Sequence, residues 1–138
     1  MLERHWNAAM NILFIEDDAM NRRVVRDMLD VAGATMEEAP LAEEGLAMID
    51  RNDYDVILVD LRMPGMDGQE AIRHIRARED AKRDLPVIVI TADTAVDLRE
   101  RCLEAGADEV LFKPVAMDAL FDAIGRILAT KDPGEVLF

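Results

Sequence analysis

The sequence predicts an α/β fold: one parallel five-stranded sheet with helices on both faces. Three observations predict it. Strand-like runs recur five times, each followed by a segment with helical spacing. Two of the runs, 56–60 and 87–91, are apolar at four successive positions before a polar end, the pattern of a strand buried on both faces. Proline and glycine fall between these runs, where turns belong, rather than inside them.

The elements follow in order. Asn11-Ile12-Leu13-Phe14-Ile15 is a short strand that ends in acid: Glu16, Asp17, Asp18. Met20, Val24, Val25, Met28 and Leu29 then recur at helical spacing, with Arg22, Arg23, Arg26, Asp27 and Asp30 on the other side. Gly33 is the expected stop of that helix. Residues 35–39 form a more polar strand, expected nearer a sheet edge, and Pro40 breaks it. Ala42, Leu46 and Ile49 mark the inner face of a second helix ending near Arg51 and Asn52.

The third strand, 56–60, stops at a carboxylate, Asp60, and Pro64, Gly65 and Gly68 mark the loop beyond it. A charge at the end of a buried strand is costly unless something pairs with it. Ala71, Ile72 and Ile75 face inward on the third helix; Arg73, Arg76, Arg78, Lys82 and Arg83 read as a solvated face mixed with Glu79, Asp80 and Asp84. Pro86 introduces the fourth strand, which ends in Thr91. Thr94 is the expected N-cap of the fourth helix, Leu98, Cys102 and Ala105 its inner face, and Gly106 its end. Cys102, within that stripe, reads as a core thiol. Residues 109–112 are the fifth strand, ending at Lys113-Pro114, and Met117, Leu120, Ile124, Ile127 and Leu128 line the last helix. Five strand–helix units favour the doubly wound, flavodoxin-like order 2-1-3-4-5, which makes strands 1 and 3 neighbours and opens a crevice at their C-terminal ends.

Length and charge bound the function. A chain of 138 residues suits one domain with a real core, and 51% hydrophobic with 33% charged residues is the composition of a globular protein. A net charge of −13 opposes broad electrostatic binding to nucleic acid or to an anionic membrane. A single cysteine excludes an internal disulfide framework and fits a reducing, cytoplasmic setting. No apolar run is long enough to span a bilayer, and 1–9 lack the apolar centre of a signal peptide. Residues 1–9 therefore read as a leader or vector-derived remnant, with Met10 an alternative start, 10–131 as the domain, and 132–138 as a short tail.

Four of the five strands deliver polar residues to the same rim: Glu16 and Asp17, Asp60, Thr91, and Lys113. Taken singly, each has a bland explanation as a cap, a strand former or a surface charge. Hydrophobic patterning does not ask for all of them at one edge. Three crowded carboxylates repel and raise one another's pKa. A hard divalent cation relieves this, and Mg2+ fits because it takes few protein ligands and keeps several waters; Mn2+ is the substitute. Asp60, alone on the central strand, can then act as a nucleophile toward phosphorus. The Thr91 hydroxyl and the Lys113 ammonium are suited to two oxygens of the transferred group.

These stretches resemble the receiver domain of bacterial two-component response regulators. The matching residues are 12–18, 59–68 from Val59 through Gly68, Ile90-Thr91-Ala92 and Phe112-Lys113-Pro114, within a resemblance that spans roughly 10 to 130. The resemblance implies that Asp60 takes a phosphoryl group from a histidine of a sensor histidine kinase or a histidine phosphotransfer protein. It implies that Asp17, Asp60 and the backbone carbonyl of Arg62 ligate Mg2+, with Glu16 acting through water, and that Thr91, Ala92 and Lys113 receive the phosphoryl group. It also implies a cis peptide at Lys113-Pro114, docking of the kinase near Asn21, Arg22 and the loop after Lys113, and output through the face made by helix 4, strand 5 and helix 5. Asp18 reads as a helix-start carboxylate outside the site.

The chain departs from the family at Val110, where an aromatic residue usually rotates on activation, and at Ala116, which lacks a capping hydroxyl. Arg62 and Asp93 each lie two residues beyond a site residue. They read either as an ion pair across the pocket mouth that slows loss of the phosphoryl group, or as two independent solvated charges. The expected protein is a signalling domain, stand-alone or excised from a larger regulator or hybrid kinase, that catalyses only its own phosphorylation and dephosphorylation. The rival is a Mg2+-dependent hydrolase working through the same aspartyl phosphate. Such enzymes place a second Asp two residues after the nucleophile, where this chain has Arg62. A mononucleotide carrier is disfavoured because no phosphate-binding loop comes after the first strand.

Overall fold

The computed structural model describes residues 10–131; the proposed leader 1–9 and tail 132–138 lie outside the described residues. The elements are β1 (Asn11–Ile15), α1 (Ala19–Val31), β2 (Thr35–Ala39), α2 (Ala42–Arg51), β3 (Val56–Val59), α3 (Gly68–Arg76), β4 (Val87–Thr91), α4 (Leu98–Ala105), β5 (Glu109–Phe112) and α5 (Met117–Lys131), with a 3-10 turn at Ala81–Asp84. The strands form one sheet in the order β2-β1-β3-β4-β5, and every pairing is parallel. The expected topology is therefore the one observed.

Strand alternation divides the core. Leu13, Ile15, Ile57, Val59, Val87 and Val89 face α2, α3 and α4, where they meet Ile49, Ile72, Ile75, Leu98 and Cys102. Ile12, Phe14, Val56, Leu58, Ile88 and Ile90 face α1 and α5, where they meet Val25, Leu29, Leu120 and Ile124. The three central strands are buried at nearly every position, and burying each Ile or Leu side chain contributes about 1.5–3 kcal/mol. This is why 56–59 and 87–90 read as unbroken apolar runs. β2 is an edge strand, and its polar residues Glu37 and Glu38 fit that place.

Three expectations are corrected. Thr94 does not cap α4. The helix begins at Leu98, because the Asp93 carboxylate accepts from the Ala95 amide and the Leu98 amide bonds the Ala95 carbonyl, so a turn uses up these residues first. Met20, Val24 and Met117 are exposed, because a helix lying on a sheet buries only a narrow stripe. In α1 that stripe is held by Val25 and Leu29, and in α5 Phe121 and Ala123 join Leu120, Ile124 and Ile127 inside. The basic residues after Ile72 are not simply solvated. Arg76 donates to the carbonyls of Gly106, Arg83 and Leu85 and meets Asp108, and Lys82 Nζ donates to the carbonyls of Ile49 and Asn52. Carbonyls at helix ends and turns lack partners within their own element, and these long cations supply them. The remaining expected ends hold: Gly33 and Gly106 follow α1 and α4 with φ of 78° and 119°.

Candidate functional site

The central strands end at the same rim, and the backbone ladder runs one step past them to fix the residues of the rim itself. The Glu16 amide donates to the Ala39 carbonyl (2.9 Å), the Asp60 amide to the Ile15 carbonyl (3.0 Å) and the Lys113 amide to the Thr91 carbonyl (2.8 Å). Asp18 caps α1 by accepting from the amides of Met20 and Asn21, so the chain turns into helix immediately after Asp17. After Asp60 the loop folds back, with the Gly68 amide on the Leu61 carbonyl at 3.0 Å. A Cβ at Gly68 would stand 2.5 Å from the Asp60 carbonyl oxygen, so only glycine permits this approach. The Lys113-Pro114 bond is cis, as the resemblance implies.

The side chains converge. Oxygens of Glu16, Asp17 and Asp60 lie within 4.8 Å of one another. Lys113 Nζ stands 2.7 Å from Glu16 Oε1 and 3.3 Å from Asp60 Oδ2. Glu16 Oε2 accepts from the Asp18 amide at 3.2 Å, and Asp60 Oδ1 from the Arg62 amide at 3.4 Å. Glu16 and Thr91 are fully buried, Asp60 nearly so, and Asp17 is exposed at the mouth. Thr91 Oγ1 accepts from the Asp93 amide at 3.1 Å. Ala92 lies exposed beside it, and Val110 is buried among the residues that pack α4 on the sheet. Arg62 and Asp93 form an ion pair, with Nη2 and Nε 2.5 and 3.1 Å from Asp93 Oδ2. The two charges are thus paired rather than independently solvated. The hydrogen bond from Arg62 pulls the Asp93 carboxyl below its usual range.

Burial, not mutual repulsion, is the leading cause of the Glu16 shift. Desolvation pushes its carboxyl up to about 7; the Lys113 hydrogen bond opposes this and the Asp60 charge adds to it. For Lys113, burial acts downward, but the Glu16 hydrogen bond and the Asp60 charge outweigh it and raise the ammonium pKa. The Glu16 shift predicts a pH dependence of the metal-free fold. Between 4.5 and about 7 the folded carboxyl keeps a proton that the unfolded chain releases. The contribution is full below 4.5 and is lost as pH rises through about 7. Its size is on the order of 3 kcal/mol. Glu38, Asp80 and Asp93 are shifted the other way, so their losses fall at lower pH and leave this window clear. Chemical denaturation in EDTA at about pH 5 and about pH 7.5 should show wild type losing stability relative to Glu16→Gln. A constant difference between the two proteins would refute it.

Helical spacing places Arg22 on the solvent side of α1. Its guanidinium instead donates from Nη1 to the Glu16 carbonyl (2.7 Å) and from Nε to Glu38 Oε1 (2.7 Å). The only hint in sequence is its place early in α1, close after Glu16, and the backbone partner has no sequence signature.

The donor set fits a hard divalent cation: oxygen ligands only, one of them open to solvent. Comparison with known proteins agrees with the geometry. A family profile described as "Response regulator receiver domain" matches residues 12–125. Sensor histidine kinase RcsC of Salmonella typhi is 37% identical over 114 residues, 83% of this chain but 12% of that protein. Response regulator MprA of Mycobacterium leprae is 36% identical over 126 residues, 91% of this chain and 54% of that protein. The chain thus spans about half of one relative and a small part of the other. Among solved structures, the receiver domain of a sensor histidine kinase from Pseudomonas aeruginosa, with a magnesium ion coordinated in its active-site cleft, is 34% identical with a TM-score of 0.80, covering 88% of this chain and 99% of that one. A receiver domain protein from Clostridium thermocellum is 27% identical with a TM-score of 0.81, covering 90% and 98%. The profile match runs from the first strand into the last helix, over the same rim where the acids, the threonine and the lysine meet, and the chain belongs to the response-regulator receiver domains, the phosphoacceptor signalling modules of two-component systems.

Proposed function

We propose that Asp60 is the phosphoacceptor, and that it takes its phosphoryl group from a histidine of a sensor kinase or histidine phosphotransfer protein. The observation that carries this reading is the setting of its carboxylate, nearly buried, 3.3 Å from Lys113 Nζ and in one cluster with Glu16 and Asp17. Asp17, Asp60 and the Arg62 carbonyl would hold Mg2+, with Glu16 reaching it through water. When bound, the ion neutralises charge gathering on the phosphoryl oxygens. An Asp60 oxygen attacks phosphorus in line, the P–N bond of the donor breaks, and the imidazole leaves with its electron pair and takes up a proton. Lys113 pairs with one phosphoryl oxygen. Thr91 donates its hydroxyl to another, and exposed Ala92 leaves room beside it.

Residues 10–131 are the domain in this reading, and the reaction is its own modification rather than turnover of an external substrate. Arg62 stands where a hydrolase would carry its acid, and its guanidinium, already bonded to Asp93, holds its proton more tightly than usual. The donor is proposed to dock beside α1 and the loop after Lys113. A groove of about 310 Å³ there is lined by Phe14, Asn21, Val24, Ile90, Pro114 and Val115 among others, next to exposed Met20. A downstream protein is assigned to the α4–β5–α5 face, in the cytoplasm. No described helix is long and apolar enough to cross a membrane, and the net charge of −13 argues against nucleic acid as the partner.

Incubation with acetyl phosphate tests this, with intact mass as the readout. A phosphoryl adduct should form with Mg2+ or Mn2+ and not in EDTA. No adduct with the metal present would overturn the assignment, and sustained turnover of a generic phosphoester would favour the hydrolase. The Arg62–Asp93 pair joins the loops that follow Asp60 and Thr91, and in this reading it hinders the approach of water to the phosphoryl group. Arg62→Ala is expected to shorten the lifetime of the phosphorylated form about two- to fivefold, the modest effect expected of an exposed ion pair. An unchanged half-life after donor removal would leave the pair no role in retention.

A further inference from the structure

We infer that Arg22 is a positioning residue for the metal site, acting through the main chain at Glu16; this rests on the proposed Mg2+ reading. The ladder between β1 and β2 leaves a place for it. Parallel pairing runs from the Thr35 amide on the Met10 carbonyl (2.8 Å) to the Glu16 amide on the Ala39 carbonyl (2.9 Å). Continued by one step, the pattern would bring the Leu41 amide to the Glu16 carbonyl. There the chain has already turned through Pro40, and Leu41 stands at the start of α2. The donor found on the Glu16 carbonyl is Arg22 Nη1, at 2.7 Å.

The guanidinium is itself aimed. Its Nε donates to Glu38 Oε1 at 2.7 Å, and Glu38 also pairs with Arg26. Arg22 is 16% exposed, so the fork is largely enclosed between α1 and β2. The Arg26 hydrogen bond first, and Arg22 after it, hold the Glu38 carboxyl below its usual range. A chain of contacts thus runs from β2 through Arg22 to the peptide that carries Glu16 into Asp17. Those are two of the three carboxylates that must lie within 4.8 Å of one another. Asp18 fixes the far end of this short segment by capping α1. Arg22 fixes the near end.

Charge and position predict opposite signs, which makes the inference testable. A guanidinium on the Glu16 main chain repels Mg2+ bound nearby, so if Arg22 acted only through its field, removing it would tighten binding. If it positions the segment, removing it weakens binding. We expect Arg22→Met to bind Mg2+ about tenfold more weakly by titration calorimetry, the low end of effects measured for groups that orient metal ligands. Arg22→Lys keeps the charge but cannot reach both partners from one fork, and should weaken binding to a similar degree. Glu38→Gln leaves Arg22 charged but poorly aimed and should fall between these and wild type. Thermal unfolding in EDTA establishes that each variant is folded, and the two milder variants carry the test if Arg22→Met is not. Unchanged or tighter Mg2+ binding by folded variants would overturn the inference and leave the metal reading intact. Absence of Mg2+ binding by wild type would overturn both.

Discussion

Asp60→Asn is expected to eliminate the Mg2+-dependent phosphoryl adduct entirely. The substitution is nearly isosteric, so its effect is chemical. An amide oxygen is a poor nucleophile toward phosphorus, and the amide also removes one anionic oxygen from the three-carboxylate cluster. The fold should tolerate it. The side-chain carbonyl of the introduced asparagine can still accept from the Arg62 amide, and Lys113 keeps its 2.7 Å contact with Glu16. One charge fewer faces Glu16, whose pKa the Asp60 carboxylate helps to raise. The variant should therefore unfold at a temperature close to that of wild type, while intact mass after acetyl phosphate treatment shows no added group. Adduct formation at the wild-type rate would mean that another carboxylate, with Asp17 the nearest exposed one, is the acceptor.

The fold is legible in the sequence because of how buried strands are patterned. Apolar runs at 56–59 and 87–90 belong to strands covered on both faces, the polar residues 37 and 38 mark an edge, and five strand–helix units favour the order 2-1-3-4-5 that is found. The rim is legible for the same reason. In a parallel sheet all strand C-termini lie at one edge, so Glu16, Asp17, Asp60, Thr91 and Lys113 must converge once the topology is right. Contacts of long side chains with main-chain carbonyls are not legible. Arg22 reaching the Glu16 carbonyl, Arg76 reaching that of Gly106 and Lys82 reaching that of Ile49 each meet a partner that every residue possesses. Helical spacing gives the buried stripe of α1 but not its width, so it marks Met20 and Val24 as core although both are exposed. The cause of the Glu16 shift depends on depth, which charge counting along a chain does not measure.

Lys113→Met should both destabilise the metal-free protein and enlarge its response to Mg2+. Lys113 Nζ is the cation found between the Glu16 and Asp60 carboxylates, at 2.7 and 3.3 Å, and their side chains are 1% and 7% exposed. Methionine keeps the apolar stem but leaves two buried acids facing each other. Removing one partner of such a group costs about 3–5 kcal/mol when the remaining charges stay ionised. Glu16 can escape part of that cost by holding its proton, since burial already pushes its carboxyl up to about 7 and the Lys113 hydrogen bond that opposed the shift is gone. The loss should therefore be larger at about pH 8 than at about pH 6, because only at the higher pH is the proton withdrawn. A divalent ion supplies the missing positive charge and no longer competes with an ammonium for the same oxygens. Mg2+ should then raise the unfolding temperature of Lys113→Met by more than it raises that of wild type, as expected when a ligand binds the folded state more tightly. Melting curves of both proteins in EDTA and in Mg2+, at the two pH values, measure this. Equal Mg2+ shifts, or no loss of stability in EDTA at the higher pH, would mean that Lys113 does not hold the acidic cluster together.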